Sequence, residues 1–308
     1  MHRGIYILAN DKVIDQTIAL INSIRFYDSD TPIVMIPYNN DYQKIKELFA
    51  QFSHVTIFEN LDLIDHFSEQ VTQICGKDLL DRPNLLRKLL CWFGPLEEFL
   101  YIDTDIVVFD KIINNLSYLK EYDFICYDYQ HTGGISQVFN PAIQENNVFS
   151  ENELKDVFNS GFWISKQGIF SEETIWDVFR ECVRHPEYFY LLNSDQTILN
   201  YLIIKYVSRR FNIVRRPNQA PGNWAGSSHF QTQGNILIDP KLNQLLQFIH
   251  WAGIRIQPGC PYWEIWEYYR DLNPALPAAA IPAPVQKSKW QQMLDNLKNQ
   301  LRQLKPKS

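Results

Sequence analysis

Asp103-Thr104-Asp105 sets two carboxylates one residue apart inside the run Glu98-Phe99-Leu100-Tyr101-Ile102-Asp103-Thr104-Asp105-Ile106-Val107-Val108-Phe109. The remainder of that run is apolar and rich in β-formers, which predicts a buried strand of an α/β sheet. Ionised carboxylates are costly in such a place unless a cation or hydrogen bonds compensate them. A divalent metal is the natural compensation, because Mg²⁺ or Mn²⁺ takes one or two protein carboxylates and leaves its other positions to phosphate oxygens and water. On a regular strand the two aspartates point the same way; if the strand ends there, they splay around one ion. An Asp pair that only caps the strand and turns the chain is the competing reading, and the apolar strand ahead of the pair favours the metal-phosphate site.

Two further groups fit such a site. Gln247-Phe248-Ile249-His250 reads as a strand whose last residue is an imidazole. A lone His is usually structural, but one at a strand end can complete an Asp103/Asp105/His250 set of oxygen and nitrogen ligands. The stretch from Arg82 to Gly94 reads as a helix begun by Pro83 and stopped by Gly94, and it delivers the chain into the D-x-D strand. Its neighbours Arg87 and Lys88 project about 100° apart, so at most one aims straight at the site. There it would stabilise a diphosphate leaving group; the alternative is that both are solvated.

The elements that must position these groups follow an α/β pattern. Ile5–Ala9 reads as a strand, Ile14–Tyr27 as a helix and Ile33–Ile36 as a second strand, a β-α-β unit that crosses over right-handed and begins a parallel sheet. Tyr42–Phe52 reads as a helix and Val55–Phe58 as a third strand. Ligands of open α/β sheets sit beyond the carboxyl ends of strands, which makes Ala9, Asn10 and Asp11 candidates for contact with a base or ribose. Asn-Asp is equally ordinary turn and cap chemistry.

Further along, Tyr122–Tyr127 is a strand ending at Asp128, and residues 130–152 read as a long loop beside the site. Phe158-Asn159-Ser160-Gly161-Phe162 has a small polar turn between apolar flanks. Gly161 would let backbone approach a ligand and Asn159 would offer a donor and an acceptor to sugar hydroxyls, against the alternative of a bulge or tight turn. Glu173–Val183 is helical in spacing, and Asn193-Ser194-Asp195-Gln196 opens another helix with an N-cap signature. Arg209, Arg210, Arg215 and Arg216 flank a strand at Phe211–Val214, where they would meet an anionic acceptor or line a solvated strand edge. Trp224 lies in a flexible loop, suited to stacking on a sugar face or closing over a nucleotide, or to an ordinary surface turn.

The 308 residues are 45% hydrophobic, enough for a proper core, and 29 Lys+Arg against 35 Asp+Glu give a formal charge of -6. That balance offers no general attraction for nucleic acid. No apolar segment is long enough to span a membrane. Met1-His2-Arg3-Gly4 followed at once by a strand is unlike a signal peptide, so the expected location is cytoplasmic, with the inner face of a membrane within reach. The five cysteines are widely spaced and mostly set among apolar residues, which predicts reduced core thiols. Residues 1–272 read as one domain and 273–286 as a Pro/Ala-rich linker. Residues 287–308 read as a basic amphipathic tail helix, with Trp290, Met293, Leu294, Leu297, Leu301 and Leu304 on one face. That face suits either self-association or an anionic membrane surface.

Five blocks occur in a telling order: Leu86-Arg87-Lys88-Leu89-Leu90-Cys91-Trp92, Tyr101-Ile102-Asp103-Thr104-Asp105, Phe158-Asn159-Ser160-Gly161, Ser194-Asp195-Gln196 and His250-Trp251-Ala252-Gly253. In this order they resemble retaining GT-A glycosyltransferases, most of all the glycogenin, galactinol synthase and lipopolysaccharide galactosyltransferase group, over roughly residues 4–256. The resemblance implies a Rossmann-like, mixed but mostly parallel sheet flanked by helices. It also implies a UDP-sugar donor, an acceptor hydroxyl on a glycan, lipid or small molecule, and Mn²⁺ or Mg²⁺ on Asp103, Asp105 and His250. Asp195 and Gln196 would lie by the anomeric centre, with Lys88 as a further cation. Ala9, Asn10, Asp11, Thr104, Asp128, Asn159, Ser160, Gly161 and Trp224 would contact the donor. Family members follow the His and Gly with a Lys-Pro-Trp element; here Gly253-Ile254-Arg255-Ile256 departs from it, leaving Arg255 as the substitute for the usual phosphate-binding lysine and Gly253 as a further donor contact.

Two other classes compete. A hydrophobic strand followed by Asp-Thr-Asp-Ile-Val also fits the first motif of haloacid-dehalogenase-type phosphatases, although that motif belongs on the first strand and three strands precede it here. A non-catalytic nucleotide-sugar-binding or scaffold protein is the third.

Overall fold

The computed structural model describes residues 2–129, 133–215 and 220–272. The expected linker, the tail helix and Arg216 lie outside the described residues. Three short parallel strands, β1 (Arg3–Ala9), β2 (Ile33–Pro37) and β3 (Val55–Ile57), are joined by helices α1 (Ile14–Tyr27) and α2 (Gln43–Phe49), as their periodicity predicts. Helix α3 (Leu61–Cys75) and a run of 3₁₀ turns over Pro83–Phe93 lead to β4 (Glu98–Ile102), which pairs parallel to β1. The run Pro83–Phe93 is therefore wound more tightly than the α-helix expected there.

Of the two courses open to the D-x-D run, the strand ends at the pair. The run is not one strand. β4 stops at Ile102, Asp103–Asp105 turn, and β5 (Ile106–Val108) leaves the main sheet to pair antiparallel with β12 (Phe248–His250). Two carboxylates in a continuous buried strand would lack partners, whereas a turn at the sheet's carboxyl edge opens them to an ion.

After β5 come β6 (Phe124–Cys126), two four-residue helices α4 (Ala142–Glu145) and α5 (Glu151–Leu154), β7 (Phe162–Lys166), α6 (Glu172–Arg184), α7 (Ser194–Tyr206) and β8 (Arg210–Asn212). The expected loop over residues 130–152 thus holds α4, and α5 begins at its end on a capping box between Ser150 and Glu153. β8 is shorter than expected and turns at Ile213. A three-stranded unit, β9 (Gln231–Gln233), β10 (Ile236–Asp239) and β11 (Gln244–Leu245), precedes β12 and the last helix of the described residues, α8 (Trp263–Arg270).

Among the described residues the main sheet has the order β3-β2-β1-β4-β7-β6-β8, parallel except for β7, which runs against both β4 and β6. The D-x-D strand is the fourth in the chain and central in the sheet, not the first strand that a dehalogenase-type phosphatase requires. Alternation along the strands divides the core. Tyr6, Leu8, Phe99 and Tyr101 face α3, α6, α7 and the Pro83–Phe93 turns, while Ile5, Ile7, Leu100 and Ile102 face α1 and α2. Helix α8 is fastened across α1 by Arg270 to Asp15 at 2.8 Å and by Asn22 to the Tyr269 carbonyl at 2.9 Å. No helix of the described residues is long and apolar enough to cross a membrane. All five cysteines are free, and four of them are buried.

Candidate active site

The antiparallel register of β5 and β12 brings the distant imidazole to the carboxylates. His250 lies opposite Ile106, the Trp251 N–H donates to the Asp105 carbonyl at 3.0 Å, and His250 Nε2 comes to 3.1 Å from Asp105 Oδ1. Asp103, Asp105 and His250 each present one ligand atom within 4.8 Å of the others, and they are such a group among the described residues. The two carboxylates are 29% exposed and the imidazole 9%, so the cluster lies at a mouth walled by protein. Burial raises the Asp103 carboxyl above its usual range even with Lys88 nearby. Burial works the same way on Asp105, but the imidazole outweighs it and holds that carboxyl low. Burial disfavours the imidazolium of His250, and Asp105 more than compensates, raising it.

Of the two neighbouring cations, Lys88 is the one that enters the site. Both are buried, so neither is solvated. Arg87 turns away to Ser68 Oγ and the Pro37 carbonyl, while the Lys88 ammonium, 1% exposed, sits 2.7 Å from Asp195 Oδ2 and 3.4 Å from Asp103 Oδ1. Burial penalises this ammonium, yet the two carboxylates keep it charged well above its ordinary range, and it in turn holds Asp195 low. Ser160 Oγ donates to the same Asp195 oxygen at 2.9 Å.

The polar turn before β7 is the floor of the site. The Asn159 side chain accepts from Gly161 N at 2.9 Å, and Asp128 Oδ2 accepts from Asn159 N at 2.7 Å. Asp128 is held in its turn by a reciprocal backbone pairing with the Asn212 amide. A methyl group built on Gly161 would collide with His250 Cε1 and come within 2.9 Å of Asp103 Oδ2, so glycine is required here by close approach. Gln196 accepts from Ser160 N at 3.4 Å and donates to the Gln137 carbonyl at 3.1 Å.

Within the expected capping block the N-cap position of α7 belongs to Asn193, which makes no side-chain capping bond, and Ser194 follows it. It is the first residue of α7, and its hydroxyl donates to the Asp81 carbonyl, which ties that helix start to the segment ahead of Pro83. Ala9, Asn10 and Asp11 lie at the carboxyl end of β1 beside β4. Asn10 is 5% exposed, its side chain accepting from Lys12 N and donating to Asn39 Oδ1. Both Asp11 oxygens accept from backbone N–H groups at the start of α2, Lys44 and Ile45. Thr104 is nearly buried in the turn between the two aspartates.

Trp224 is anchored rather than loose: its backbone bridges to His250 and its indole N–H donates to the Ala252 carbonyl at 3.0 Å, with the ring 51% exposed. Gly253 adopts φ +70° and Arg255 is exposed two residues later. The arginines at β8 are taken up by the protein itself: Arg210 and Arg215 both bind Asp156, at 2.7 and 2.5 Å, and Arg209 donates to the Glu121 carbonyl.

Two participants were not singled out from sequence. Tyr101 donates its hydroxyl to Asp103 Oδ1 at 2.6 Å, and Asn223 accepts from His250 N at 2.7 Å while its amide donates to the Tyr127 carbonyl. Strand alternation carried the signal for Tyr101, two residues before Asp103 on the same face. Asn223 carried none, since its role depends on a pairing between segments far apart in the chain.

No known-family model and no curated protein matched the chain. Solved structures did. The bifunctional glycosyltransferase WbbM, in its apo form, superposes with a TM-score of 0.59 at 15% identity, over 95% of this chain and 51% of that one, so the chain spans about half of WbbM's length. The galactosyltransferase LgtC, in complex with donor and acceptor sugar analogues, superposes with a TM-score of 0.57 at 12% identity, over 90% of this chain and 97% of that one. Mouse xyloside xylosyltransferase 1, apo form, covers 68% of this chain and 84% of its own, with a TM-score of 0.52 at 9% identity. The likeness at these identities is one of architecture: with its central β4, reversed β7 and acidic turn at the sheet's carboxyl edge, the chain has the GT-A glycosyltransferase fold.

Proposed function

We propose that the chain is a metal-dependent glycosyltransferase that moves a hexose from a UDP-sugar to an acceptor hydroxyl with retention of anomeric configuration. The observation that carries this reading is the convergence of Asp103, Asp105 and His250 within 4.8 Å. Two carboxylate oxygens and an imidazole nitrogen are a donor set suited to Mn²⁺ or Mg²⁺, and Gly161 keeps the space beside them clear of side chain. The fit is therefore good, and these three residues would hold the ion. When bound, it supplies positive charge to the diphosphate oxygens as the leaving group departs.

The protein's own residues do the rest. In the transfer, the bond from the anomeric carbon to the β-phosphate oxygen breaks and a bond to the acceptor oxygen forms, leaving UDP and the acceptor's proton as the other products. Lys88 holds the Asp195 carboxylate ionised and fixed, and its charge lies behind Asp103. Asp195, Gln196, Asp128 and Asn159 orient the hexose and shield the oxocarbenium-like centre, and Ser160 locks Asp195 in place. Ala9, Asn10 and Asp11 border the uridine, Thr104 and Gly161 offer backbone, Trp224 covers the donor, and Gly253 with Arg255 borders the phosphates. The acceptor is a glycan, lipid or small molecule, not a nucleic acid.

The test is UDP release from a panel of UDP-hexoses with Mn²⁺, with Mg²⁺ and after chelation, followed by the product's anomeric configuration by NMR. Asp103→Asn should abolish turnover while the far-ultraviolet spectrum is unchanged. A fully active, metal-independent Asp103→Asn protein removes the metal from the mechanism. Hydrolysis of phosphomonoesters without turnover of any UDP-sugar returns the phosphatase reading.

A further inference from the structure

We propose that Tyr101 is a positioning residue that decides which oxygen of Asp103 is offered to a metal, and so sets the site's preference for Mn²⁺ or Mg²⁺ over Ca²⁺; this rests on the metal reading above. Tyr101 is fully buried. Its ring lies stacked on Trp163, with centroids 5.2 Å apart and planes 21° apart, and the Lys88 ammonium stands 4.9 Å from the ring centroid on the site side. Trp163 is stacked in turn on Trp92, with centroids 4.8 Å apart. A ring packed in this way has one place to put its hydroxyl, and that place is 2.6 Å from Asp103 Oδ1. A phenol-to-carboxylate bond of that length is a strong, charge-assisted one.

The consequence lies in the asymmetry it imposes. Asp103 Oδ1 is loaded with two donors, the Tyr101 hydroxyl and, at 3.4 Å, the Lys88 ammonium. Oδ2 is the oxygen on the imidazole side, since a methyl on Gly161 would come within 2.9 Å of it while striking His250 Cε1. The backbone of Asp103 is fixed as well, by its N–H to the Gly161 carbonyl at 2.8 Å. Asp103 is thereby presented as a one-oxygen ligand. Mg²⁺ demands octahedral geometry and suits such ligands, whereas Ca²⁺ takes six to eight oxygens and readily binds a carboxylate through both. Deleting the phenol hydroxyl leaves Oδ1 with only the longer 3.4 Å contact to Lys88, so it can join Oδ2 on one ion, which lowers the preference for Mn²⁺ or Mg²⁺ and suits Ca²⁺ better.

The experiment titrates Mn²⁺ alone into the full chain by electron paramagnetic resonance, with Ca²⁺ as competitor, for the wild type and for Tyr101→Phe. Phe keeps the ring and its stacking. Loss of this outer contact should weaken Mn²⁺ binding by about 10-fold or more, while Ca²⁺ affinity holds or rises, so the Mn²⁺/Ca²⁺ ratio falls. An unchanged ratio in Tyr101→Phe overturns the proposal, and a wild type that binds neither ion overturns both this proposal and the metal reading beneath it. A second variant, with 3-fluorotyrosine at position 101, keeps the hydroxyl and makes it a stronger donor. Its ratio should equal or exceed that of the wild type, and a fall like that of Phe would mean that ring packing, not the hydrogen bond, sets the preference.

Discussion

The backbone N–H of Asp103 donates to the carbonyl of Gly161 at 2.8 Å, adding one rung to the β4–β7 ladder beyond the Ile102–Phe162 pair. The turn carrying the acidic pair and the turn forming the floor of the site are thus one unit, although Asp103 and Gly161 lie 58 positions apart in the chain. It is this rung that places the glycine directly beneath the imidazole and the first carboxylate.

Gly161→Ala should therefore damage the site more than the fold. The added methyl must displace the His250 ring and crowd Asp103 Oδ2, and over-packing of this kind costs about 1–3 kcal/mol. UDP-sugar turnover is expected to drop at least about 100-fold, because displacing a positioned group by an ångström has effects of that size. Paired thermal melts and Mn²⁺ titrations check it. Wild-type metal affinity in Gly161→Ala would contradict the close approach.

What could be read in the sequence was set by locality. Strand alternation and helical spacing placed β1, α1, β2 and α7, and Asp103, Asp105 and His250 were identifiable because each ends or interrupts an apolar run. What was hidden came from pairings between distant segments. Nothing near Glu98–Phe109 reveals that the chain changes sheets at Asp103, since β5 is an ordinary apolar triplet whose partner β12 lies about 140 residues on. Likewise the arginines around β8 read as open charge until Asp156, from the end of α5, is seen to take both Arg210 and Arg215.

Lys88 and Asp195 form a pair from which one partner cannot be removed cheaply. At 2.7 Å and with the ammonium 1% exposed, Lys88→Met strands a buried carboxylate and should cost about 3–5 kcal/mol. Adding Asp195→Asn to Lys88→Met should restore most of that loss, since an amide needs no counter-charge, yet leave UDP release absent. Denaturant titration of the two single variants and the double variant measures the coupling. Additive losses would show that the pair is not energetically linked.

Asp156→Asn separates structural arginines from functional ones. Arg210 and Arg215 lose their charge partner, at a cost of about 1 kcal/mol because the group is partly exposed and screened. Turnover with any accepted UDP-sugar should stay within about 2-fold, since surface changes away from a site act within about 0.5 kcal/mol. A rise in the acceptor's KM alone would instead assign these arginines to the acceptor.

Trp224 tests the cover over the donor. Its ring is 51% exposed, held at the indole N–H by the Ala252 carbonyl and backed by Gly226, where a methyl would run into the ring itself. The fold gains little from an exposed ring, so Trp224→Ala should shift stability by no more than about 0.5 kcal/mol. A stacked donor loses about 0.5–1.5 kcal/mol of contact, which is about 2- to 12-fold in donor KM with kcat little changed. Gly226→Ala should push the ring aside and raise donor KM in the same direction. Combined with Trp224→Ala it should add nothing further, because the group it displaces is already gone. Steady-state kinetics of the three variants distinguish a stacking ring from a plain surface turn, for which KM would not move in any of them.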